Sequence, residues 1–394
     1  MLEQTDIPAY DADLFAPAAL REPFGHYQAL RDLGPVVRLG DSGFYALSRF
    51  TDVRDALQSP ERLISGRGVG FSAAWNEPRG PNLIAADGEV HRKMRTTVMK
   101  PLMPAQLRQH RATLKELIVT RVRALGGAGR FDAMAELARF LPVTAISEFV
   151  GLPEEGRASM LEWAAATFNA LGPERHASAG DARLLDEARR YMASMSRDKV
   201  REGSWAGNLF AAVEAGRLSL QEALGAMSAY VIPSLDTTIL AKGHLLLNLA
   251  RNPDQWALLR QDPSLIPGAV LEGVRHSAVI RWFSRTAAGP YRVGAHLVPD
   301  GARVMVMYAS ANRDQRQYPD PDRFDIRRDA RFHLAWGTGP HMCAGMHLAK
   351  IEMEVMLEAL VENCAALEAG EPGLVVNAAL YGFSDLPFEL RPAG

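Results

Sequence analysis

The sequence predicts a mainly α fold of the α+β class, rich in helix with small peripheral β-sheets. Three observations predict it. Apolar residues recur at three- to four-residue spacing through most of the chain between positions 88 and 277, and again after 344. Period-two alternation is confined to short stretches near 36–48, 291–308 and 381–390. The composition, 47% hydrophobic and 23% charged, excludes collagenous, disordered and low-complexity classes. A chain of 394 residues is long enough for two or three domains. No internal repeat and no linker divides it, so a single domain over residues 1–394 is expected.

Taken in order, residues 1–33 read as an irregular lead-in followed by a short helix from about Pro23. Residues 36–48 read as a hairpin about Gly40-Asp41-Ser42-Gly43, and 52–58 as a short helix. Residues 65–80 carry four glycines among polar residues and read as a loop. Helices are expected over 105–125, 132–150, 156–170, 182–200, 219–252 and 266–277, broken by clusters such as Gly126-Gly127 and Gly151-Leu152-Pro153. Strands over 291–308 turn at Pro299-Asp300-Gly301. An aperiodic Pro/Asp/Arg-rich meander covers 312–331. A last long helix over 344–367 ends at glycine and proline near 370–373, and a strand pair near 381–390 closes the chain.

Lys plus Arg number 44 and Asp plus Glu 46, for a net charge of -2. That balance provides no global field for nucleic acid or anionic lipid. There are two cysteines, Cys343 and Cys364, which excludes a disulfide scaffold and suggests a reducing compartment. The acidic start MLEQTDIPAYDADLF lacks a basic region followed by an apolar core, so it is not a signal peptide. No run of 18 apolar residues is present. A cytoplasmic protein with no membrane or nucleic-acid partner is expected.

The most informative segment is Trp336-Gly337-Thr338-Gly339-Pro340-His341-Met342-Cys343-Ala344-Gly345. Glycines flank a turn, and a long helix follows the cysteine at once. Backbone N–H groups and the helix dipole at such a start favour a thiolate, and their hydrogen bonds tune a metal-bound sulfur. A lone cysteine at a helix start is otherwise commonly a buried structural residue. No Cys-x-x-Cys-His is present, so covalent heme attachment is not indicated.

This loop resembles the heme-binding motif of cytochrome P450 enzymes, aromatic-Gly-x-Gly-x-His/Arg-x-Cys-x-Gly, with Trp336 where the family usually has Phe. Further matches follow the family's order along almost the whole chain. Glu272 and Arg275 match its Glu-x-x-Arg pair, which taken alone would also read as a surface ion pair. Arg323, in Asp320-Pro321-Asp322-Arg323-Phe324, matches the arginine completing that network. His91, Arg95, Arg285 and His341 match contacts to the heme propionates. The resemblance implies a cytochrome P450 fold and a heme b cofactor held by the Cys343 thiolate, with Trp336 and Gly337 beside it. It also implies a monooxygenase that takes O2 and accepts electrons from a ferredoxin and ferredoxin reductase, and a monomer is expected. Cys364 is expected to be structural.

In Ile232-Pro233-Ser234-Leu235-Asp236-Thr237-Thr238 the family's acid–alcohol pair corresponds to Asp236 and Thr237, a carboxylate and a hydroxyl suited to relaying protons. The family's Ala-Gly is replaced by Pro233-Ser234, and the proline is expected to bend the helix. The segments 65–72, 168–173 and 310–314 resemble a bacterial subgroup that demethylates or hydroxylates para-substituted benzoates. That resemblance nominates Arg67 and Ser72 as a carboxylate anchor, although Arg67 is equally readable as solvated or paired with an acid. It places Phe168, Leu171, Ile232, Phe283 and Phe383, with Val279 and Trp282, as candidate walls around a small aromatic substrate. Ser228, Ala229 and Ile232 leave the facing helix poor in charge, so either a carboxylate is held by Arg67 and Ser72 alone or the substrate is a neutral aromatic such as a methoxyphenol. Alternatives are a hydroxylase of terpenoids or other natural products, a non-catalytic heme carrier or sensor, and a cofactor-free cysteine hydrolase. His341 lies too close in sequence to Cys343 to act as the hydrolase's base.

Overall fold

The computed structural model describes residues 6–40, 42–77, 80–176 and 178–393. The first five residues of the acidic start and Asp41 of the expected turn lie outside the described residues.

Strand β1 (Ala9–Tyr10) and helix α1 (Pro17–Arg21) precede α2 (Phe24–Leu33). β2 (Val37–Leu39) and β3 (Phe44–Leu47) form the expected hairpin, with Val37 opposite Ala46 and Leu39 opposite Phe44. After α3 (Phe50–Leu57), β4 (Leu63–Ile64) opens the glycine-rich loop, which contains one short helix, α4 (Ala73–Asn76). Helices α5 (Gly88–Met99) and α6 (Pro104–Leu125) follow, then β5 (Phe131–Asp132). The expected helix over 132–150 is instead wound as two π-helical turns, Met134–Ala138 and Pro142–Ile146, ahead of α7 (Ser147–Val150). Pro142 has no N–H to continue an i→i−4 ladder at that point.

Next come α8 (Met160–Asn169), α9 (Ala179–Ala193), α10 (Trp205–Glu214), α11 (Leu220–Arg251), α12 (Pro253–Gln261) and α13 (Ile266–Ser277). Strands β6 (Phe283–Ala287), β7 (Tyr291–Val293), β8 (His296–Val298) and β9 (Arg303–Val306) are followed by α14 (Tyr308–Ala311). Helix α15 (Met346–Asn363) leads into β10 (Cys364–Ala369), β11 (Gly373–Leu374), β12 (Phe383–Asp385) and β13 (Pro387–Pro392).

The expected class is the observed one: a helical body with small sheets at its margin. The largest sheet has the order β1-β2-β3-β9-β6-β4. Three local expectations differ. The Pro299-Asp300-Gly301 turn does not close a hairpin, because β8 folds back on β7 through Gly294-Ala295 while β9 joins β3 and β6. The last helix stops at Asn363, and Cys364 begins a strand paired with β13. Residues 364–369 are acceptable helix formers, so sheet pairing overrides propensity there. The closing strands β12 and β13 join different sheets rather than each other.

α11 organises the interior. Ser219 caps it: its hydroxyl accepts from the Glu222 N–H at 3.2 Å, and the Glu222 carboxylate accepts from the Ser219 N–H at 2.7 Å. α11 packs against α5, α8, α10 and α13. Its 18-residue window of mean hydropathy 1.2 is long and apolar enough to cross a membrane, which the sequence reading did not recognise. Half of that window is buried within the protein, as in the central helix of a globular core. Met227, Leu245 and Leu249 are fully buried. Truncating any of them to Ala costs about 2–5 kcal/mol.

Candidate active site

The Cys343 loop is built from backbone constraints. The Gly337 N–H donates to the Leu334 carbonyl and the Cys343 N–H to the Trp336 carbonyl, both at 2.8 Å. Gly337 and Gly339 have φ of 66° and 71°, a region that side chains disfavour. A Cβ on Gly339 would lie 2.4 Å from the Leu57 carbonyl oxygen, so the loop is pressed against the end of α3. The Cys343 side chain is accessible, yet burial pushes its thiol up, against the Gly345 N–H, the Arg95 charge and the Met346 N–H, which favour the thiolate. Burial raises the thiol of Cys364, to about 11, and that residue sits in a sheet.

Around this sulfur the fold collects cations and imidazoles. The His91 and His341 rings lie 4.2 Å apart. Arg95 donates to the Met342 carbonyl. His341 approaches Asp87 at 3.9 Å, and Asp87 accepts from the Ser65 and Gly66 N–H groups at 3.0 and 2.6 Å. Arg285 is buried on β6 and bonded to the Ser284 carbonyl and the Tyr308 hydroxyl. Burial holds His91 at about 4, with His341 and Arg95 adding to the effect, so its imidazole is neutral at pH 7. Its buried Nε2 has no hydrogen-bond partner. A buried orphan nitrogen beside Arg95 and a second imidazole, His341, which itself lies near Arg285, suits the two carboxylates of a heme whose iron Cys343 would hold. These residues therefore fit the cofactor. Trp336 is half-buried, its ring 4.8 Å from that of His333.

The loop is held from behind by a buried network. The Arg275 guanidinium donates to both Glu272 oxygens, at 2.6 and 2.8 Å, with both side chains fully buried. It also donates to the Asn312 and Pro321 carbonyls. The Asn312 side chain in turn accepts from the Leu334 N–H at 2.7 Å, at the base of the cysteine loop. The third member is not Arg323, as expected from sequence, but Arg328, whose Nε donates to Glu272 at 3.2 Å. Arg323 is exposed, 3.9 Å from Asp325, and contributes only its carbonyl, which accepts from Arg328. Asp320, at φ 46°, turns the chain so that the later arginine points inward. The Asp325 N–H, three residues before Arg328, also donates to Glu272, at 3.1 Å. The role of Asn312 had none.

On α11 the helix runs unbroken through Pro233. Flanking hydroxyls bond back into it: Ser234 to the Tyr230 and Val231 carbonyls, and Thr237 to the Pro233 carbonyl at 2.7 Å. Between the buried Met227 and Thr238, the at least partly accessible positions are Ser228, Ala229, Ile232, Pro233, Ser234, Asp236 and Thr237, a stripe at helical spacing. Ile232 thus shares a face with the acid–alcohol pair. Burial pushes Asp236 up to about 7, and the charge of Arg139 opposes that. Near neutral pH this carboxyl exists in both forms.

Arg67 and Ser72 are not brought together. Arg67 is exposed, and its carbonyl accepts from Arg303 at 2.9 Å. Ser72 is buried and caps α4, accepting from the Trp75 N–H at 3.2 Å. Phe71 stacks on Phe44 at 4.2 Å and lies 4.9 Å from Trp282. The Trp282 indole donates to the Ala378 carbonyl at 2.9 Å, so Trp282 belongs to the core. Phe168, Leu171, Val279, Phe283 and Phe383 are buried, and the Phe383 ring lies 4.3 Å from His244.

Near the cysteine loop an open groove of about 630 Å³ is lined by Arg54, Phe332, Trp336, Met342, Met346 and Lys350. Phe332 is 71% exposed there. On α5, Arg92 pairs with Glu89, and Lys93 bonds Glu222 at 3.0 Å, so Lys93 supports the start of α11.

A family profile described as Cytochrome P450 matches residues 260–374, which hold Glu272, Arg275 and Cys343. The chain is 33% identical over 393 residues to cytochrome p450 CYP199A2 of Rhodopseudomonas palustris, covering 98% of this chain and 95% of that one. It is 33% identical over 398 residues to a beta-dihydromenaquinone-9 omega-hydroxylase of Mycobacterium tuberculosis, covering 97% and 79%. Among solved structures, cytochrome P450 CYP109Q5 from Chondromyces apiculatus superposes with a TM-score of 0.81 at 29% identity, over 97% of this chain and 99% of that one. Proteins of this kind bind heme through a cysteine thiolate and use O2 with electrons from redox partners. Similarity along nearly the whole length to a relative 33% identical means that the chain belongs to the cytochrome P450 family of monooxygenases.

Proposed function

We propose that residues 1–394 form one cytoplasmic, monomeric heme-thiolate monooxygenase domain that oxidises a small para-substituted aromatic, a benzoate or a methoxyphenol. Cys343 would hold the heme iron. The observation that carries this reading is the Cys343 sulfur at the start of α15, met by the Gly345 and Met346 N–H groups beside Arg95. When bound, heme supplies the iron at which O2 is reduced, one oxygen atom entering a substrate C–H bond and the other leaving as water, with two electrons and two protons from outside. His91, Arg95, Arg285 and His341 hold the propionates. Asp236 takes up and releases protons near pH 7. Thr237 donates its own proton to the Pro233 carbonyl, which leaves the Oγ1 lone pairs to receive a hydrogen bond from the site. Oxidation of a methoxy carbon yields a hemiacetal that collapses to the phenol, which is O-demethylation. Electrons come from a ferredoxin and ferredoxin reductase, docking at the groove with Arg54 and Lys350.

The test of the ligand is Cys343→Ala against Cys364→Ala. The first is expected to lose the thiolate-type absorbance band of the reduced CO complex and the second to keep it, and the opposite result sinks the assignment. The substrate class is tested by spectral titration with 4-methoxybenzoate, 4-methoxyphenol and an isoprenoid chain. The third ligand represents a second reading, hydroxylation of a terpenoid. The equally identical relative named for dihydromenaquinone hydroxylation favours it, as does an accessible α11 stripe without a cation. A heme shift with the isoprenoid alone replaces the aromatic reading.

A further inference from the structure

Two charged side chains are sealed in the interior outside both the heme cradle and the Glu272 network. Lys242 on α11 donates from Nζ to Oε2 of Glu352 on α15 at 2.5 Å, with exposures of 0% and 1%. Lys242 lies six positions after Asp236 on the same helix, and Glu352 nine positions after Cys343 on the helix its loop begins. Among the described residues this is the one side-chain hydrogen bond or ion pair joining α11 to α15. Burial drives both groups toward neutrality, and the one charge opposing that at each is its partner's. The pair is therefore electrostatically isolated.

Removing two ions from water costs about as much as their attraction returns, so an apolar pair of similar volume would hold the helices together as firmly. A short ionic hydrogen bond differs from methyl packing in another respect: it is directional and accepts one relative placement. Apolar surfaces tolerate sliding.

We propose that Lys242 and Glu352 are a positioning couple that sets the register of α11 against α15, and so the placement of Asp236 and Thr237 relative to Cys343. This rests on the reading of those three residues given above. Neither member is a catalytic residue, since neither is placed against substrate or cofactor.

The experiment uses the heme-loaded full chain. Three variants are compared with wild type: Lys242→Met, the apolar double variant Lys242→Met/Glu352→Met, and the swap Lys242→Glu/Glu352→Lys. Thermal midpoint reports the fold, the reduced-CO absorbance band reports the thiolate, and the infrared C–O stretch reports polar groups near bound CO. Lys242→Met leaves a buried carboxylate alone and is expected to lower the midpoint. The apolar double variant is expected to regain the midpoint and keep the thiolate band, but with a broadened or split C–O stretch. The swap is expected to restore a single narrow stretch. A wild-type stretch in the apolar double variant, or a swap as broad as that variant, overturns the proposal. If the apolar double variant does not fold, Lys242→Arg decides: a shifted single stretch supports the couple and an unchanged one overturns it. Absence of the thiolate band in wild type itself would instead remove the heme-thiolate reading.

Discussion

The two sides of the site are built by different means. On the cysteine side, position is over-determined. Glycines at positive φ, a carbonyl contact at Gly339 and the Glu272–Arg275–Arg328 network fix the loop through Asn312. On the α11 side, the hydroxyls of Ser228, Ser234 and Thr237 bond back into their own helix. There the accessible stripe has no cross-linking ion pair until Lys242. The cysteine half is rigid because its polar groups bond across elements. On α11 the hydroxyls of the stripe stay within the helix, while Glu222 and Tyr230 tie its first half to α5 through Lys93 and the Val98 carbonyl.

The strongest way to break this contrast is to cut the rigid half. Arg328→Ala removes one of two cations from a fully buried carboxylate that keeps Arg275, and is expected to cost about 1.5–3 kcal/mol, with loss of heme during denaturation. Arg323→Ala, at an exposed position, is expected to stay within about 0.5 kcal/mol. Chemical denaturation of both variants checks this, and equal effects would restore Arg323 to the network.

Next is Asp236→Asn, which acts on the α11 half. Product formation is expected to fall about 10²-fold. The pH dependence has a definite sign. The folded-state value, raised to about 7, exceeds the ordinary carboxyl value of about 3.9, so the native state holds the extra proton. Stability from this group therefore declines as pH climbs from about 4 to about 7. Asparagine is expected to flatten that decline in thermal scans, and a slope identical to wild type would mean that Asp236 titrates normally.

A smaller effect is expected on the outer face of the rigid half. Lys350→Glu should slow reduction by an acidic ferredoxin several-fold at low ionic strength and converge with wild type at high salt. Stopped-flow reduction across a salt series measures it. The smallest effect is expected for Arg67→Ala. An exposed cation contributes about 0.2–1 kcal/mol, so benzoate affinity should fall less than about fivefold. A loss beyond about tenfold would place Arg67 in a closed anion site.

The legibility of the chain follows the same division. Elements whose pattern is local were readable: α13 runs Ile266–Ser277 as periodicity indicates, α11 begins at its capping box, and the β2–β3 hairpin brackets its glycines. The cysteine loop was readable because a tight turn, a helix start and a thiolate must lie within ten residues of one another. Elements decided by distant partners were not. Cys364 leaves the last helix because β13 is there to pair with it. The 132–150 segment winds as π turns, and β8 and β9 separate into two sheets.

By itself, then, the sequence determined the helix-rich class, the placement of Cys343 at a helix start and the acid–alcohol pair on α11, because each depends on residues adjacent along the chain. Only the tertiary structure decided that Arg328 rather than Arg323 meets Glu272, that Ser72 caps α4 while Arg67 faces outward, and that Lys242 finds Glu352. Each of these depends on which side chain a fold leaves buried beside an opposite charge. Spacing in the sequence carries no record of that, because the partners meet across 56 and 110 positions of intervening chain or are chosen by a single backbone turn.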